Sequence, residues 1–330
     1  MNGGCLNFKK PIRDAISRIR FAPFSNNLLI SSWDSSLRLY NADKSELRVE
    51  VPTEAALLDC CFESESVAFS AGSDGSVCRY DMHLGTSVTI GNHGDLATCT
   101  EYSDETCLLI TAGWDKKIMF WDSRATKSLG CLNNLGVEVE SLSLSGFNLM
   151  VAVRSSVYIY DLRNCHESVQ AKESIMDIQL KCVRSTHNFE GFVAGSTDGR
   201  VALEYLDQSK SKNEGYAFRC HPKGKNGRQH LVAVNDIAFS PSNDSVFVTG
   251  DNEGYATTWD ARSKRRLVEL PRYPNSVASL SYNQDGQLLA VASSYTYQEA
   301  NEREEPPQIF IHRMDDINIR SASASCSKGT

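Results

Sequence analysis

The chain has 330 residues, 41% of them hydrophobic and 23% charged, and its net charge is −7. This is the composition of a globular protein, and its negative balance argues against a surface that coats nucleic acid, although local basic patches remain compatible with it. No apolar run approaches the roughly eighteen residues of a membrane span, and no secretory leader follows Met1. We therefore expect an intracellular protein with no membrane partner.

The eleven cysteines could indicate a disulfide scaffold, but a chain of this length does not need such cross-links. Most lie in apolar runs, where a thiol behaves as a small hydrophobic group: Cys60, Cys61, Cys78, Cys99, Cys107 and Cys182. No Cys-x-x-Cys pair occurs, and Cys165–His166 and Cys220–His221 lack a second pair at zinc spacing. We predict reduced, structural cysteines and neither metal nor other cofactor.

A repeat of about forty residues is the most informative motif of the chain. Small residues around an aspartate precede a short alternating run that ends in an aromatic residue in SSWDSSLRLYN (31–41), SAGSDGSVCRYD (70–81) and TAGWDKKIMFWD (111–122). The alternation predicts short antiparallel strands, and the small residues supply the turn between the second and third strand. Repeats of this length and pattern are typical of WD-type β-propeller blades.

The repeat predicts an all-β fold: a single seven-bladed β-propeller over residues 1–314. Residues 315–330 are predicted to form a flexible tail. The blades cover about 16–41, 57–81, 97–122, 139–161, 180–221, 234–260 and 277–314. Because the last blade lacks an obvious outer strand, we expect residues 4–10 to fill that place and close the ring. The closing aromatics lie 39 to 45 residues apart as far as Tyr205, whereas Trp259 follows after 54, which indicates an insertion.

Blade three carries a polar set that can brace a blade from inside. His93, in the loop that enters the blade, can reach Asp115 in the turn, with Thr111 and Trp121 completing a buried network. Such a network stabilises only when every member is paired. A catalytic pair of His93 and Asp115 is the alternative, but the bracing role is favoured.

Two tryptophans depart from the generic repeat. Trp33 and Trp114 stand just before the turn aspartate, where a small or polar residue is usual. That turn lies on a face of the ring, so we expect both indoles to be partly exposed and to bind a partner. Local packing between neighbouring loops is the alternative.

The insertion, residues 206–234, forms a local basic zone in an acidic chain. Its cations are Lys210, Lys212, Arg219, Lys223, Lys225 and Arg228, against Asp207 and Glu214. Residues 216–221 alternate like a strand, so Arg219 should project from a fixed backbone, near Arg200 on the third strand of blade five and Arg184 on its first. Fixed guanidinium groups suit an acidic or phosphorylated peptide, with nucleic acid as the less favoured ligand. We find no phosphate loop, nucleophile elbow or metal ligand set, so we do not expect an enzyme.

Several stretches closely resemble the WD-repeat mitotic checkpoint proteins of the Bub-three family. They are SSWDSSLRLYN, the turn of blade three, GRVALEYLD (199–207), YAFRCH (216–221), residues 265–295 and IFI (309–311). The sister family, the messenger-RNA export factor of the nuclear pore, shares this core. Two departures, the blade-six turn GDNEGYATTWD and the loop 222–233, would also suit a divergent paralogue with altered partners.

The resemblance implies a non-catalytic adaptor. The family binds a short motif, called GLEBS, of checkpoint kinases and pseudokinases across one face of the ring. It also binds phosphorylated Met-Glu-Leu-Thr repeats of the outer kinetochore scaffold. The residues that match that binding face are Trp33, Trp114, Arg184, Arg200 and Arg219. We accordingly expect a monomeric ring in the nucleus, at kinetochores in mitosis, and also in the cytoplasm.

Two other functions remain open. An export factor would bind nucleic acid with a steep salt dependence, but that family usually has a longer arm before blade one. A substrate receptor of a cullin-type ubiquitin ligase would use the WD-x-Arg box, which WDSR (121–124), YDLR (160–163) and WDAR (259–262) resemble. Arg124, Arg163 and Arg262 would then dock on the ligase adaptor. The simpler explanation is a blade end followed by a basic residue.

Overall fold

The computed structural model describes residues 4–8, 10–124, 128–132, 135–165, 167–220, 232–296 and 305–314. These residues form seven antiparallel sheets of four strands each, so the predicted seven-bladed propeller is confirmed. Each blade contributes one inner strand, which faces a central channel, and one outer strand at the rim. No helix in the described ranges is long and apolar enough to cross a membrane.

The first three blades are continuous in sequence. Blade one contains β2 (Ile16–Phe21), β3 (Asn27–Ser32), β4 (Ser36–Asn41) and β5 (Glu46–Pro52). Blade two contains β6 (Leu57–Phe62), β7 (Val67–Gly72), β8 (Ser76–Asp81) and β9 (Thr86–Asn92). Blade three contains β10 (Ala97–Ser103), β11 (Leu108–Gly113), β12 (Ile118–Asp122) and β13 (Ser128–Leu132).

The next three blades follow the same order. Blade four contains β14 (Ser141–Ser145), β15 (Asn148–Val153), β16 (Ser156–Asp161) and β17 (Gln170–Glu173). Blade five contains β18 (Leu180–Ser185), β19 (Gly191–Ser196), β20 (Arg200–Tyr205) and β21 (Tyr216–Arg219). Blade six contains β22 (Val234–Phe239), β23 (Val246–Asp251), β24 (Ala256–Asp260) and β25 (Arg265–Glu269).

The last blade closes the ring as the sequence predicts. It contains β26 (Val277–Tyr282), β27 (Leu288–Ser293), β28 (Gln308–Arg313) and the N-terminal β1 (Gly4–Cys5). β1 pairs antiparallel with β28, with Gly4 opposite Ile311, and β26 lies beside β2 of blade one. The N-terminal segment therefore supplies the outer strand that the end of the chain lacks.

The core consists of seven clusters of buried apolar side chains, each between two neighbouring blades. The cluster at the closing seam joins Ile19 and Tyr40 of blade one to Ala290 and Ile309 of blade seven. Because burial of apolar area is the main stabilising term, each blade depends on both neighbours. The alternating Val, Ile, Phe and Tyr residues that predicted strands also supply these clusters.

The insertion begins with a helix that was not predicted from the sequence. This helix is α1 (Gln208–Glu214), whose N-cap Asp207 accepts a hydrogen bond from the backbone N–H of Lys210. β21 then completes the blade as its outer strand, which agrees with the alternation in residues 216–219. The rest of the predicted basic zone, including Lys223, Lys225 and Arg228, lies outside the described residues.

The cysteines are mostly as expected. The ten described cysteines form no disulfide, and Cys60, Cys61, Cys99 and Cys182 are buried. Cys107 is exposed, contrary to the prediction. It lies in the turn between β10 and β11 with a φ of 54°. The apolar residues that follow it in the sequence belong to β11, which begins at Leu108.

Candidate functional site: the upper face and the central channel

The antiparallel order of the strands gives the ring two distinct faces. Within a blade, the turn from the second to the third strand lies on the same side as the exit of the outer strand. We call this side the upper face and the opposite side the lower face. Trp33, Trp114, Arg200 and Arg219 all stand at the upper ends of their strands.

The two tryptophans frame the upper mouth of the channel. Both contribute to the wall of a cavity of about 500 Å³, together with Glu140, Lys181 and Arg184. Their backbone N–H groups donate to equivalent carbonyls, that of Trp33 to Ala15 and that of Trp114 to Leu96, so the two turns have one geometry. The Trp114 side chain is 50% exposed, and Trp33 is half-buried.

The two arginines of blade five form a pair around one carboxylate. Arg200 and Arg219 are directly opposite each other on β20 and β21. Arg200 Nε lies 2.8 Å from Asp198 Oδ2, and Arg219 Nη2 lies 3.4 Å from the same oxygen while its Nη1 donates to the Asp198 carbonyl at 2.7 Å. Two guanidinium groups thus face one carboxylate, which leaves an excess of positive charge.

This pair is accessible to a ligand. The side chains of Arg200 and Arg219 are 31% and 41% exposed, whereas that of Asp198 is 9% exposed. Burial alone would raise the pKa of Asp198, but the hydrogen bond from Ser196 and the charge of Arg200 outweigh it and lower that pKa. Asp198 therefore stays ionised and holds both guanidinium groups in place at the surface.

Arg184 has a different environment from the other four predicted binding residues. It is the fifth residue of β18 and lies inside the channel, where Nη2 is 2.6 Å from Asp236 Oδ1. Its side chain is 16% exposed and that of Asp236 is fully buried. Arg184 contributes to the cavities at both mouths of the channel, so it lies beneath the upper face rather than on it.

Asp236 is a buried junction of four blades that the sequence reasoning missed. Its carboxylate binds Arg184 of blade five and, at 3.0 Å, Arg18 of blade one. It also accepts the backbone N–H of Leu280 in blade seven at 2.9 Å. Burial alone would raise the pKa of Asp236, but the charges of Arg18 and Arg184 outweigh it and lower that pKa.

A repeated bulge explains how polar side chains enter the channel. In six inner strands the pairing register shifts between the first and third residues, which turns the third side chain away from the regular alternation. Those third residues are Arg18, Asp59, Cys99, Cys182, Asp236 and Ser279. An acidic residue at the same place in LLDCCF (57–62) and VNDIAF (234–239) was the signal available in the sequence.

The lower level of the channel holds another ion pair. Arg20, two residues after Arg18, lies with its guanidinium nitrogens 2.6 and 3.0 Å from the two oxygens of Glu101. Arg18 also approaches Asp59 at 3.4 Å. These bonds join blades across the channel, where partly buried charges are stable only if they are paired.

The polar set of blade three has the expected geometry. His93 Nδ1 lies 3.0 Å from Asp115 Oδ1, and its Nε2 lies 2.8 Å from Thr111 Oγ1. The indole N–H of Trp121 donates to the same Thr111 oxygen at 2.8 Å. His93 is buried and all its ring nitrogens are engaged, an arrangement suited to bracing the blade.

Other blades are braced by different groups. In blade one the turn residue Asp34 binds the buried Arg38 at 2.6 Å, and in blade two Tyr80 pairs with Ser70 at 2.8 Å. Blade six repeats only the contact between Trp259 and Thr249, at 2.9 Å.

The three arginines considered for ligase docking lie on the lower face, each just after a third strand. Arg163 makes a bidentate ion pair with Asp161, and its guanidinium group lies over the ring of Phe147. Arg124 pairs with Asp122, and the backbone N–H of Arg262 donates to Asp260. Local contacts within each turn account for these positions, and docking on a ligase adaptor stays a prediction.

The described part of the chain contains no group of His, Cys, Asp or Glu residues arranged to hold a metal ion. Within the insertion, Lys210 pairs with Glu190 and lies over the ring of Tyr205. Lys172 of blade four donates to Ser211 of α1 at 2.7 Å. The helix is thus fastened to blades four and five at the lower ends of β20 and β21, opposite the ends that carry Arg200 and Arg219.

Comparisons with known proteins agree with this architecture. The family described as WD domain, G-beta repeat, matches residues 6–41 and 85–122. The chain is 51% identical over 314 residues to the mitotic checkpoint protein BUB3.3 of Arabidopsis thaliana, covering 95% of this chain and 100% of that protein. The chain belongs to the Bub-three family.

Further Bub-three relatives support the assignment. The mitotic checkpoint protein BUB3.1 of Arabidopsis thaliana is 39% identical, over 94% of this chain and 93% of its own. The mitotic checkpoint protein bub3 of Dictyostelium discoideum is 35% identical, over 92% and 93%. The resemblance read from the sequence is confirmed, while the roles of the individual site residues stay predictions.

Proposed function

We propose that this Bub-three protein is a non-catalytic adaptor of the mitotic spindle checkpoint that binds peptide motifs on its upper face. Its ligands would be a GLEBS-type motif of a checkpoint kinase or pseudokinase and a phosphorylated repeat of the outer kinetochore scaffold. Through these ligands it would bring checkpoint proteins to kinetochores. The relatives that carry the name of mitotic checkpoint protein support the cellular role.

One observation supports the peptide site above all others. The two tryptophans that depart from the generic repeat and the two arginines of blade five lie on the same face of the propeller. Trp33 and Trp114 frame the upper mouth of the channel, and Arg200 and Arg219 stand on the same face at the edge of blade five. An exposed indole offers a large apolar surface with one donor. Paired guanidinium groups offer planar donors that match carboxylate and phosphate.

The tryptophans and the arginine pair would bind different parts of a ligand. The tryptophans would hold an apolar residue of the GLEBS-type motif at the mouth of the channel, near Lys181 and Glu140. The arginine pair would bind an acidic or phosphorylated residue at the rim. Arg184 would act from below, by placing its charge under the mouth while it stays bound to Asp236.

The experiment that tests the apolar part is a titration with a GLEBS-type peptide. Trp114→Ala should weaken binding by about tenfold to a hundredfold, because buried aromatic anchors dominate such interfaces. Its matched control is Phe24→Ala, which removes another exposed aromatic residue, on the lower face. If Trp114→Ala binds as tightly as the unaltered protein, the tryptophan site is wrong.

A further inference from the structure

The lower mouth of the channel contains two adjoining hollows, distinct from the upper face. The inner hollow has a volume of about 450 Å³ and lies where blades one, six and seven meet. The outer hollow, of about 370 Å³, lies between the lower turns of blades one and seven. Asn283 and Gln284 line both, so the two form one continuous depression.

The inner hollow is lined by cations and apolar groups. Arg18, Arg20 and Arg184 contribute to its wall, and no described aspartate or glutamate does. Their carboxylate partners lie behind that wall, Asp236 fully buried and Asp59 nearly so. The remaining wall is largely apolar. A side chain that enters here must therefore offer oxygen acceptors next to an apolar stem.

The outer hollow has the opposite charge. Asp43 and Asp285 line it, together with polar side chains, and no lysine or arginine of the described residues does. Asp43 accepts a hydrogen bond from Asn26, and Asp285 accepts one from the backbone N–H of Gln287. Both residues are exposed, so their charges are available to a basic group.

The lower turn of blade one borders both hollows: Ala22 and Pro23 line the inner hollow, and Phe24 lines the outer one. This side chain is 77% exposed, which is unusual for a large aromatic group without a partner. Its backbone N–H donates to Glu65 of blade two at 2.8 Å. Asn283 of blade seven donates to Asn26 at 2.8 Å in the same turn. Neighbouring blades on both sides therefore fix the turn that presents the Phe24 side chain to solvent.

From this arrangement we propose that the lower mouth is a second binding site, for a linear segment of a partner protein. The segment carries an apolar residue that covers Phe24, an acidic residue that enters the inner hollow, and a basic residue that meets Asp43 and Asp285. The opposed charges of the two hollows fix the direction of the segment.

The charges also favour a single carboxylate over a phosphate in the inner hollow. Arg18, Arg20 and Arg184 are already paired with Asp59, Asp236 and Glu101, so three cations face three anions. An entering carboxylate adds one negative charge beside these guanidinium groups and a phosphate dianion adds two, so the cost of placing uncompensated charge in a confined site is smaller for the carboxylate. A linear peptide supplies such alternating side chains from an extended backbone.

The test is a selection of random linear peptides of about twelve residues on the full chain, followed by affinity measurements on the selected sequences. We expect a class in which an apolar residue lies between an acidic and a basic one. Phe24→Ala should lower the affinity for these peptides at least about tenfold, as loss of an aromatic anchor does. Trp114→Ala on the upper face should leave them unchanged.

Charge reversal gives the sharper readout. The double variant Asp43→Lys/Asp285→Lys should bind the selected peptides more weakly. Replacing the basic residue of each peptide by Glu should restore its binding to this variant. The matched control is Asp104→Lys, at an exposed aspartate in the lower turn of blade three. Thermal melting of each variant shows that the ring is intact.

Three results would overturn the proposal. The first is that no selected peptide depends on Phe24, and the second is that charge reversal has no effect on those that do. The third is sedimentation showing that Phe24 holds two copies of the chain together, because the occupant would then be a second copy. Failure of the tryptophan test on the upper face would leave these results unaffected.

Discussion

The arginines of the channel and those of the upper face both pair with aspartate carboxylates, but the two groups have different roles. Inside the ring, Arg18 and Arg184 converge on Asp236, whose side chain is fully buried. On the upper face, Arg200 and Arg219 share Asp198 but remain about one third exposed or more. The first group joins blades, and the second has donors that a ligand can reach. Burial, rather than residue type, decides which arginine holds the fold and which is available for binding.

The largest effect should come from the channel. Asp236→Asn removes the carboxylate that pairs with Arg184 and leaves Arg18 only the more distant Asp59, and breaking such a buried pair costs about 3–5 kcal/mol. Urea denaturation should show the loss as a lower midpoint with an unchanged slope. Asp198→Asn is the comparison on the upper face, where a loss of about 1–2 kcal/mol is expected because its guanidinium groups can turn to water. Equal losses at the two sites would contradict the distinction.

A second test of the interior uses pH. Burial lowers the pKa of His312 to about 4, and its Nε2 lies within hydrogen-bond distance, 2.5 Å, of the Tyr273 hydroxyl oxygen. The unfolded chain binds this proton near pH 6.5, so stability is complete above that value and falls as the pH drops toward 4. The loss between pH 6.5 and 4.5 should be about 2 kcal/mol.

His312→Gln isolates that contribution, because the glutamine amide can still hydrogen-bond to the Tyr273 hydroxyl but does not titrate. The difference in unfolding free energy between pH 6.5 and 4.5 should shrink in this variant relative to the unaltered protein. If both proteins lose the same stability over this range, His312 is not buried in its neutral form. His187, which is exposed, offers a control as His187→Gln.

The smallest effect on stability should come from the upper face itself. Arg200→Gln with Arg219→Gln removes two partly exposed ion pairs, each worth at most about 1 kcal/mol. Thermal melting should therefore change little, although binding of an acidic peptide is expected to weaken. A loss as large as that of Asp236→Asn would show that this pair also holds the ring together.

The sequence predicted the fold because the repeat carries the whole architecture. Each blade has the same turn chemistry and strand alternation, so seven blades and the closing role of residues 4–10 followed from spacing alone. The bracing set of His93, Thr111, Asp115 and Trp121 could be read for the same reason. These are properties of one repeat and need no knowledge of its neighbours.

Contacts between blades could not be predicted in the same way. Arg184 was placed on the binding face, but the bulge in β18 and the carboxylate of Asp236, which is distant in the sequence, hold it inside the channel. Helix α1 was missed because its seven residues bury no side chain and show no apolar period. The N-cap Asp207 was the one local signal of that helix.

Binding of a phosphorylated peptide by the Arg200–Arg219 pair is the central proposal, and one titration tests it most directly. A phosphorylated Met-Glu-Leu-Thr peptide and its unphosphorylated form are titrated into the unaltered protein, the Arg200→Glu/Arg219→Glu variant and the lower-face control Arg163→Glu. We predict that the phosphorylated form binds the unaltered protein and the control alike, and binds the double variant at least about tenfold more weakly. Equal affinity of the phosphorylated peptide for the double variant and the unaltered protein would contradict the account.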